Sequence, residues 1–127
     1  ILAGGTDLLI QLRAGARHTR HIVDVKRIPE MNALHADARM GLRIGGAVPC
    51  SLLVEHPAAQ DLYPGLVEAA ALIGSTQIQN RATVAGNLCN GSPAADTTPA
   101  LLALRAVCII AGPGGRRELP AAGEPLQ

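Results

Sequence analysis

The sequence predicts an α/β (α+β) fold in two subdomains, residues 1–32 and 33–127, on three observations. The chain opens as strand, Gly-Gly turn, helix and second strand, the order of a parallel βαβ piece. A period-two apolar stretch near residue 40 marks a half-buried strand. Two helical stretches opened by prolines then lead to a pair of strands joined by a glycine-rich turn.

In the first subdomain Ile1–Ala3 is the end of a strand, Gly4-Gly5 a tight turn, and Thr6 the N-cap of a helix over Asp7–Ala14 that Gly15 closes. Ile22-Val23-Asp24-Val25, apolar and β-branched, reads as a buried strand. After Pro29, Ala33–Ala36 and Met40–Gly46 form a hairpin, since Met40, Leu42 and Ile44 alternate with Gly41, Arg43 and Gly45. Ser51 caps a short helix over Leu52–His56, and Pro64 opens a longer one with Leu66, Val67, Ala70 and Ile73 on its apolar side, ended by Gly74. Ser75–Arg81 is a polar loop, Thr83-Val84 a short strand, and Ala85-Gly86-Asn87 a second glycine turn. A helix from Pro99 carries Leu101, Leu102 and Leu104 behind a Thr98 cap. Val107–Ala111 and Arg116–Leu119 are strands flanking Gly112-Pro113-Gly114-Gly115, and Leu119–Pro125 is a loop. A strand stub at Ile1 and a Pro/Gly/Ala loop at the end predict a piece that is incomplete at both ends.

With 127 residues, 48% of them apolar, the chain can bury one modest core or two small ones. Eleven Lys and Arg stand against ten acids, so no excess charge is available for a polyphosphate backbone or an anionic membrane. There is no Phe or Trp and one Tyr, Tyr63, which removes the platforms on which single-stranded nucleic acids stack. The expected partners therefore include no nucleic acid and no membrane. Cys50, Cys89 and Cys108 are widely spaced and odd in number, which indicates neither a disulfide framework nor a metal site and fits a reducing, cytoplasmic compartment. His18, His21, His35 and His56 lack ligand spacing, and no metal is expected. Arg13, Arg17, Arg20, Lys26 and Arg27 form a solvated face or a partner surface, and the sequence leaves both open.

Two segments carry chemistry. In Ala3-Gly4-Gly5-Thr6-Asp7, residues without a Cβ let the backbone approach a ligand and offer it N–H groups, which suits a pyrophosphate. The same turn is also a common plain connection, and it lacks the GxGxxG and GxxxxGK[ST] patterns. The second segment, Gly74–Asp96, holds six Asn, Gln or Thr side chains between Thr76 and Asn87. Buried, such groups need partners from the loop or from a polar ligand; exposed, they are a solvated loop.

These residues resemble the FAD-binding subunits of the xanthine dehydrogenase and carbon monoxide dehydrogenase group, the molybdenum hydroxylases, whose flavin domain is of the p-cresol methylhydroxylase type. One motif of that group, AGG and a polar pair, is matched by Ala3–Asp7. A second, Q-I-R-N-x-x-T-[IV]-G-G-N, is matched by Gln77–Asn87 and runs on into Leu88, Ser92, Pro93 and Asp96. The resemblance covers Ile1 to about Leu119. It implies that residues 1–32 end a small N-terminal FAD-binding subdomain and that 33–127 belong to a larger one.

It further implies FAD as cofactor. The turn formed by Leu2, Ala3, Gly4, Gly5, Thr6, Asp7 and Leu8 and the turn formed by Thr83, Val84, Ala85, Gly86 and Asn87 would clasp the pyrophosphate. Asp96 would bind the adenosine ribose, Leu8, Leu88 and Cys89 would lie near the isoalloxazine, and Ile73 near the adenine. Two positions depart from the pattern: Ala85 stands for the first glycine of the pair and Gln79 for arginine. A Cβ at 85 is harmless at negative φ and crowds a phosphate at positive φ. No catalytic residue is expected, and N–H groups near Gly86–Leu88 are expected to stabilise reduced flavin. The implied function is an oxidoreductase flavoprotein subunit. It would work with a molybdenum-cofactor subunit and a [2Fe–2S] subunit and pass electrons to an external acceptor, NAD, quinone or another. The alternatives are an assembly module of the same fold without FAD, and a generic nucleotide-binding domain.

Overall fold

A computed structural model describes residues 1–123. Leu2 and Asp24 form a parallel bridge, with the Leu2 N–H donating to the Val23 carbonyl at 2.7 Å and the Val25 N–H to the Leu2 carbonyl at 3.1 Å. Helix α1, Leu8–Arg13, lies between them in sequence, so a βαβ order is present with its sheet reduced to one bridge. The buried strand expected at Ile22–Val25 is corrected accordingly: Val25 is buried, whereas Ile22 and Val23 are 48% and 58% exposed. With pairing limited to that bridge, the described residues cover only about half of each side chain.

The Thr6 cap is also corrected. Asp7 is the N-cap residue of α1, and no side chain caps it. Gly5, at φ +80°, lets its own carbonyl accept from the Leu9 N–H at 3.1 Å, so the main chain makes the first bond unaided. Gly15, at φ +71°, follows the helix as expected.

A 3₁₀ turn at Pro29–Asn32 leads into β1, Leu34–Asp37, and β2, Gly41–Ile44, an antiparallel hairpin with Leu34 opposite Ile44 and Asp37 opposite Gly41. Asp37 Oδ1 accepts from the N–H groups of Arg39 and Met40, both at 2.7 Å, which closes the turn and lowers the Asp37 pKa.

Helices α2 (Cys50–Val54), α3 (Pro57–Leu62) and α4 (Pro64–Ala71) pack on one another beneath β1. Ser51 is not the α2 cap; Pro49 is, because the Cys50 N–H is already held by the Ala82 carbonyl at 2.8 Å and starts the helix earlier. His56 caps α3, its Nδ1 accepting from the Ala59 N–H at 3.2 Å. As expected, Pro64 opens α4 and Leu66, Val67 and Ala70 are its buried face. Their cluster includes Cys50, Leu53, Ala59, Ile73, Ala82, Val84 and Leu101. Burial of each large aliphatic member contributes about 1.5–3 kcal/mol.

The polar loop expected at Ser75–Arg81 contains a one-turn helix, α5, Thr76–Gln79. The Thr83-Val84 strand and the glycine turn after it are corrected together. Thr83 makes an isolated bridge to Pro49 and is the N-cap of α6, Val84–Asn90, so Ala85, Gly86 and Asn87 form a first helical turn. Helix α7 spans Thr98–Ala103 with Thr97 as N-cap residue in place of Thr98. Strands β3, Val107–Gly112, and β4, Gly115–Pro120, form the expected hairpin. The chain then turns at Pro120–Gly123, and the remainder of the expected loop, 124 and 125, lies outside the described residues. Among the described residues no helix is long and apolar enough to cross a membrane, and no cluster of ligating side chains suits a metal ion.

Candidate functional site

The first glycine turn and the start of α6 are some eighty residues apart and are tied together by the Arg81 segment. A Cβ on Gly4 would sit 2.2 Å from the Arg81 carbonyl oxygen and 3.0 Å from the Ala82 Cα, so the two backbones touch there because Gly4 has no side chain. The Arg81 guanidinium donates to the Gly4 carbonyl from Nε at 3.4 Å and from a terminal nitrogen at 3.3 Å. Lys26 Nζ donates to the Ala3 carbonyl at 3.1 Å and pairs with Asp24 at 2.9 Å. That hydrogen bond to Lys26, first, and the Lys26 backbone N–H, second, hold the Asp24 carboxyl below the usual range. Gln11 of α1 donates to Asn90 Oδ1 of α6 at 3.2 Å, a second tie between the same parts of the chain.

These contacts leave a cleft of about 250 Å³ lined by Gly4, Gly5, Thr6, Leu9, Arg13 and Arg81. Two guanidinium groups, a hydroxyl and glycine backbone are suited to an anionic group of diphosphate size. A larger depression of about 600 Å³ lies at Asp37–Met40, remote in sequence from these residues and formed by the hairpin turn itself.

At the other side, Thr83 is 3% exposed and its Oγ1 accepts from the Gly86 N–H at 2.9 Å, while its carbonyl accepts from Asn87 N–H at 2.9 Å. The Gly86 and Asn87 N–H groups are thus both bonded to Thr83 at the start of α6. Arg105 has the only positive φ of a non-glycine among the described residues, so Ala85 meets the condition under which its Cβ is tolerated.

The other expected site residues are placed as follows. Leu2, Ala3, Gly5, Thr6 and Leu8 are half-buried, Gly4 is buried, and Asp7 is exposed. Val84 is buried, Ala85 through Leu88 are half-buried, and Cys89 and Asp96 are exposed. Ile73 is 7% exposed within the core cluster, so its side chain serves packing first. Of the alternatives open for the amide-rich segment, partners within the chain and solvent account for most of its side chains. Gln79 donates to the Ala71 carbonyl at 2.8 Å, Asn87 Oδ1 accepts from Thr97, Asn90 pairs with Gln11, and Gln77 and Asn80 are exposed. Among the described residues no buried side-chain nitrogen or oxygen lacks a partner.

Sequence reasoning did not assign roles to Arg81, Gln11 or Thr97, and it read Lys26 as part of a surface. Their roles are contacts across long stretches of chain, for which the one available signal was the density of polar side chains around Arg81.

Geometrically this is an α+β domain with a cleft where the Gly4-Gly5 turn and helix α1 meet Arg81, distant from them in sequence. The chain belongs to the family described as the FAD binding domain in molybdopterin dehydrogenase, whose model matches residues 1–123. It is 40% identical over 123 residues to the xanthine dehydrogenase FAD-binding subunit of Escherichia coli O157:H7, covering 97% of this chain and 42% of that protein. To the carbon monoxide dehydrogenase medium chain of Hydrogenophaga pseudoflava it is 34% identical over 123 residues, with the same coverage. In a solved structure of carbon monoxide dehydrogenase from that organism, 96% of this chain matches 42% of one chain with a TM-score of 0.88 and 35% identity. Quinoline 2-oxidoreductase from Pseudomonas putida 86 matches with a TM-score of 0.88 at 25% identity, covering 94% of this chain and 42% of that one. The chain thus spans about two fifths of the length of these relatives, 42% in each case.

The cofactor of this family is FAD, and the residues present fit its diphosphate. The cleft is walled by glycine backbone, holds the Thr6 hydroxyl, and has Arg13 and Arg81 at its edge, with no acidic side chain lining it.

Proposed function

We propose that this chain is the FAD-binding, electron-transfer part of a molybdenum hydroxylase complex. In that complex it docks with a molybdenum-cofactor subunit and a [2Fe–2S] subunit and passes electrons to an external acceptor such as NAD or a quinone, in the cytoplasm. The observation that carries the reading is the cleft at Gly4–Thr6, closed by Arg81, in a chain matched by the family model over residues 1–123.

When bound, FAD supplies the redox chemistry. The chain binds and orients it. Gly4, Gly5 and Thr6 meet the diphosphate with backbone and hydroxyl, and Arg13 and Arg81 offset its charge. Leu2, Ala3, Asp7 and Leu8 flank that turn, and Thr83, Val84, Ala85, Gly86 and Asn87, which follow Arg81 in sequence, are the candidates for a second wall. Asp96, exposed, is the candidate for the ribose hydroxyls, and Leu8, Leu88 and Cys89 for the isoalloxazine. Ile73, packed in the core cluster, is the candidate for the adenine. No acid–base pair is required for this role.

The test is the visible absorption spectrum of the purified full-length protein, followed by titration with FAD. The reading predicts flavin bands that stay with the protein through gel filtration. A colourless protein that takes up no added FAD supports an assembly module in its place.

A further inference from the structure

Helix α1 supplies one wall of the cleft, through Leu9 and Arg13. Each residue of a helix turns the chain by about 100°, so positions four apart share a face and the position midway between them lies on the other side. Gln11 is that midway position. Leu9 and Arg13 therefore stand on one face of α1 and Gln11 on the opposite one.

The rotation of a helix about its own axis is ordinarily set by side chains interlocked with a core. Helix α1 reads Leu-Leu-Ile-Gln-Leu-Arg, yet among the described residues none of its own is buried, and Leu9 and Ile10 are 37% and 65% exposed. Among the described residues its one side-chain hydrogen bond runs from Gln11 Nε2 to Asn90 Oδ1 of α6, at 3.2 Å. Both ends are carboxamides, so reversing both still sets an N–H against an oxygen, and the bond survives either assignment. Arg13, on the other face, is exposed and forms no ion pair with a described residue.

We propose that Gln11 is a positioning residue for the cleft: its bond to Asn90 holds α1 at the rotation in which Leu9 and Arg13 meet the diphosphate of bound FAD. The inference rests on the FAD-binding reading above. Neither Gln11 nor Asn90 lines the cleft, so their effect on it passes through α1. Without the bond α1 can turn about its axis, and Arg13, on the far side from Gln11, swings with it.

The experiment is FAD titration of the full-length protein at low and high salt, with urea unfolding of each variant. Gln11→Met keeps the length of the side chain and removes the donor, Asn90→Leu removes the acceptor, and Asn90→Asp keeps an oxygen in its place. The first two are expected to weaken FAD binding about fivefold at low salt, the scale of one exposed charge pair. Both are expected to flatten the salt dependence as well, because the charge displaced is that of Arg13. Asn90→Asp retains the bond and is expected to bind within about twofold of wild type. In an Arg13→Met background, Gln11→Met is expected to add less than about a twofold loss, since the residue it acts through is already gone. Wild-type affinity in Gln11→Met or in Asn90→Leu overturns the proposal. So does a loss with the salt dependence unchanged, or an undiminished loss on top of Arg13→Met, either of which marks a merely structural contact. If Gln11→Met does not fold, Asn90→Leu decides by the same readings. A wild-type protein that binds no FAD overturns the underlying reading, whereas wild-type binding that neither variant alters overturns this inference alone.

Discussion

Replacing Gly4 with alanine probes the contact that brings the two turns together. The new Cβ would lie 2.2 Å from the Arg81 carbonyl oxygen, and ordinary Cβ contacts begin near 3.4 Å, so the backbones must part by about 1.2 Å. Overpacking of this kind costs about 1–3 kcal/mol. The Arg81 hydrogen bonds to the Gly4 carbonyl, already 3.3 and 3.4 Å long, would pass out of range unless the guanidinium followed. Their loss adds about 1 kcal/mol, for a total of about 2–4 kcal/mol. Two other glycines calibrate the value. Gly15→Ala, at φ +71° with open space around it, carries only the left-handed backbone cost of about 1–2 kcal/mol. Gly65→Ala, inside α4 and open, is expected to be neutral or to stabilise by up to about 1 kcal/mol. The assay is urea unfolding of the three variants in the full-length protein. A Gly4→Ala variant no less stable than Gly15→Ala would refute the contact between the Gly4 turn and the Arg81–Ala82 backbone.

Three further outcomes are expected. Thr83→Val keeps the buried volume and removes the α6 cap, and should lower unfolding free energy by about 1 kcal/mol where Thr83→Ser does not. Arg81→Gln removes one positive charge from the cleft and should weaken FAD binding roughly tenfold, less so at high salt; unchanged affinity by titration would exclude Arg81 from the site. Burial pushes the Cys50 thiol up to about 11 from its ordinary 9.0. Below pH 9 folded and unfolded chains both keep that proton, and between 9 and 11 the unfolded chain ionises first, so stability falls as pH rises through this window. The same burial predicts that native-state alkylation near pH 8 labels exposed Cys89 and spares Cys50 until the protein is unfolded.

Strong local patterns were legible without the structure. Pro64 with Leu66, Val67 and Ala70 specified α4, and the alternation around Leu42 specified the first hairpin, because in both the period of the apolar residues matches the geometry of the element. Thr83-Val84-Ala85-Gly86-Asn87 was misread because β-branched residues followed by Gly and Asn favour strand and turn locally. What decides the outcome is the Thr83 hydroxyl on the Gly86 N–H, after which the same residues continue as helix. The candidate site was visible as two motifs and not as a cleft. Its walls depend on Arg81 reaching Gly4, Lys26 reaching Ala3 and Gln11 reaching Asn90, contacts between residues 23 to 79 positions apart that no local pattern encodes. The glycines also changed meaning. Gly4 is required where two backbones touch and Gly5 for its left-handed φ, so both are explained by the fold before any ligand is considered.

The most direct test of the central claim is the FAD content of the full-length protein, measured by visible absorption after gel filtration and, for protein stripped of flavin, by titration with FAD. One FAD per chain is expected, retained through the column and restored on titration, with affinity falling in Arg81→Gln. A protein without flavin bands that shows no saturable FAD binding would contradict it.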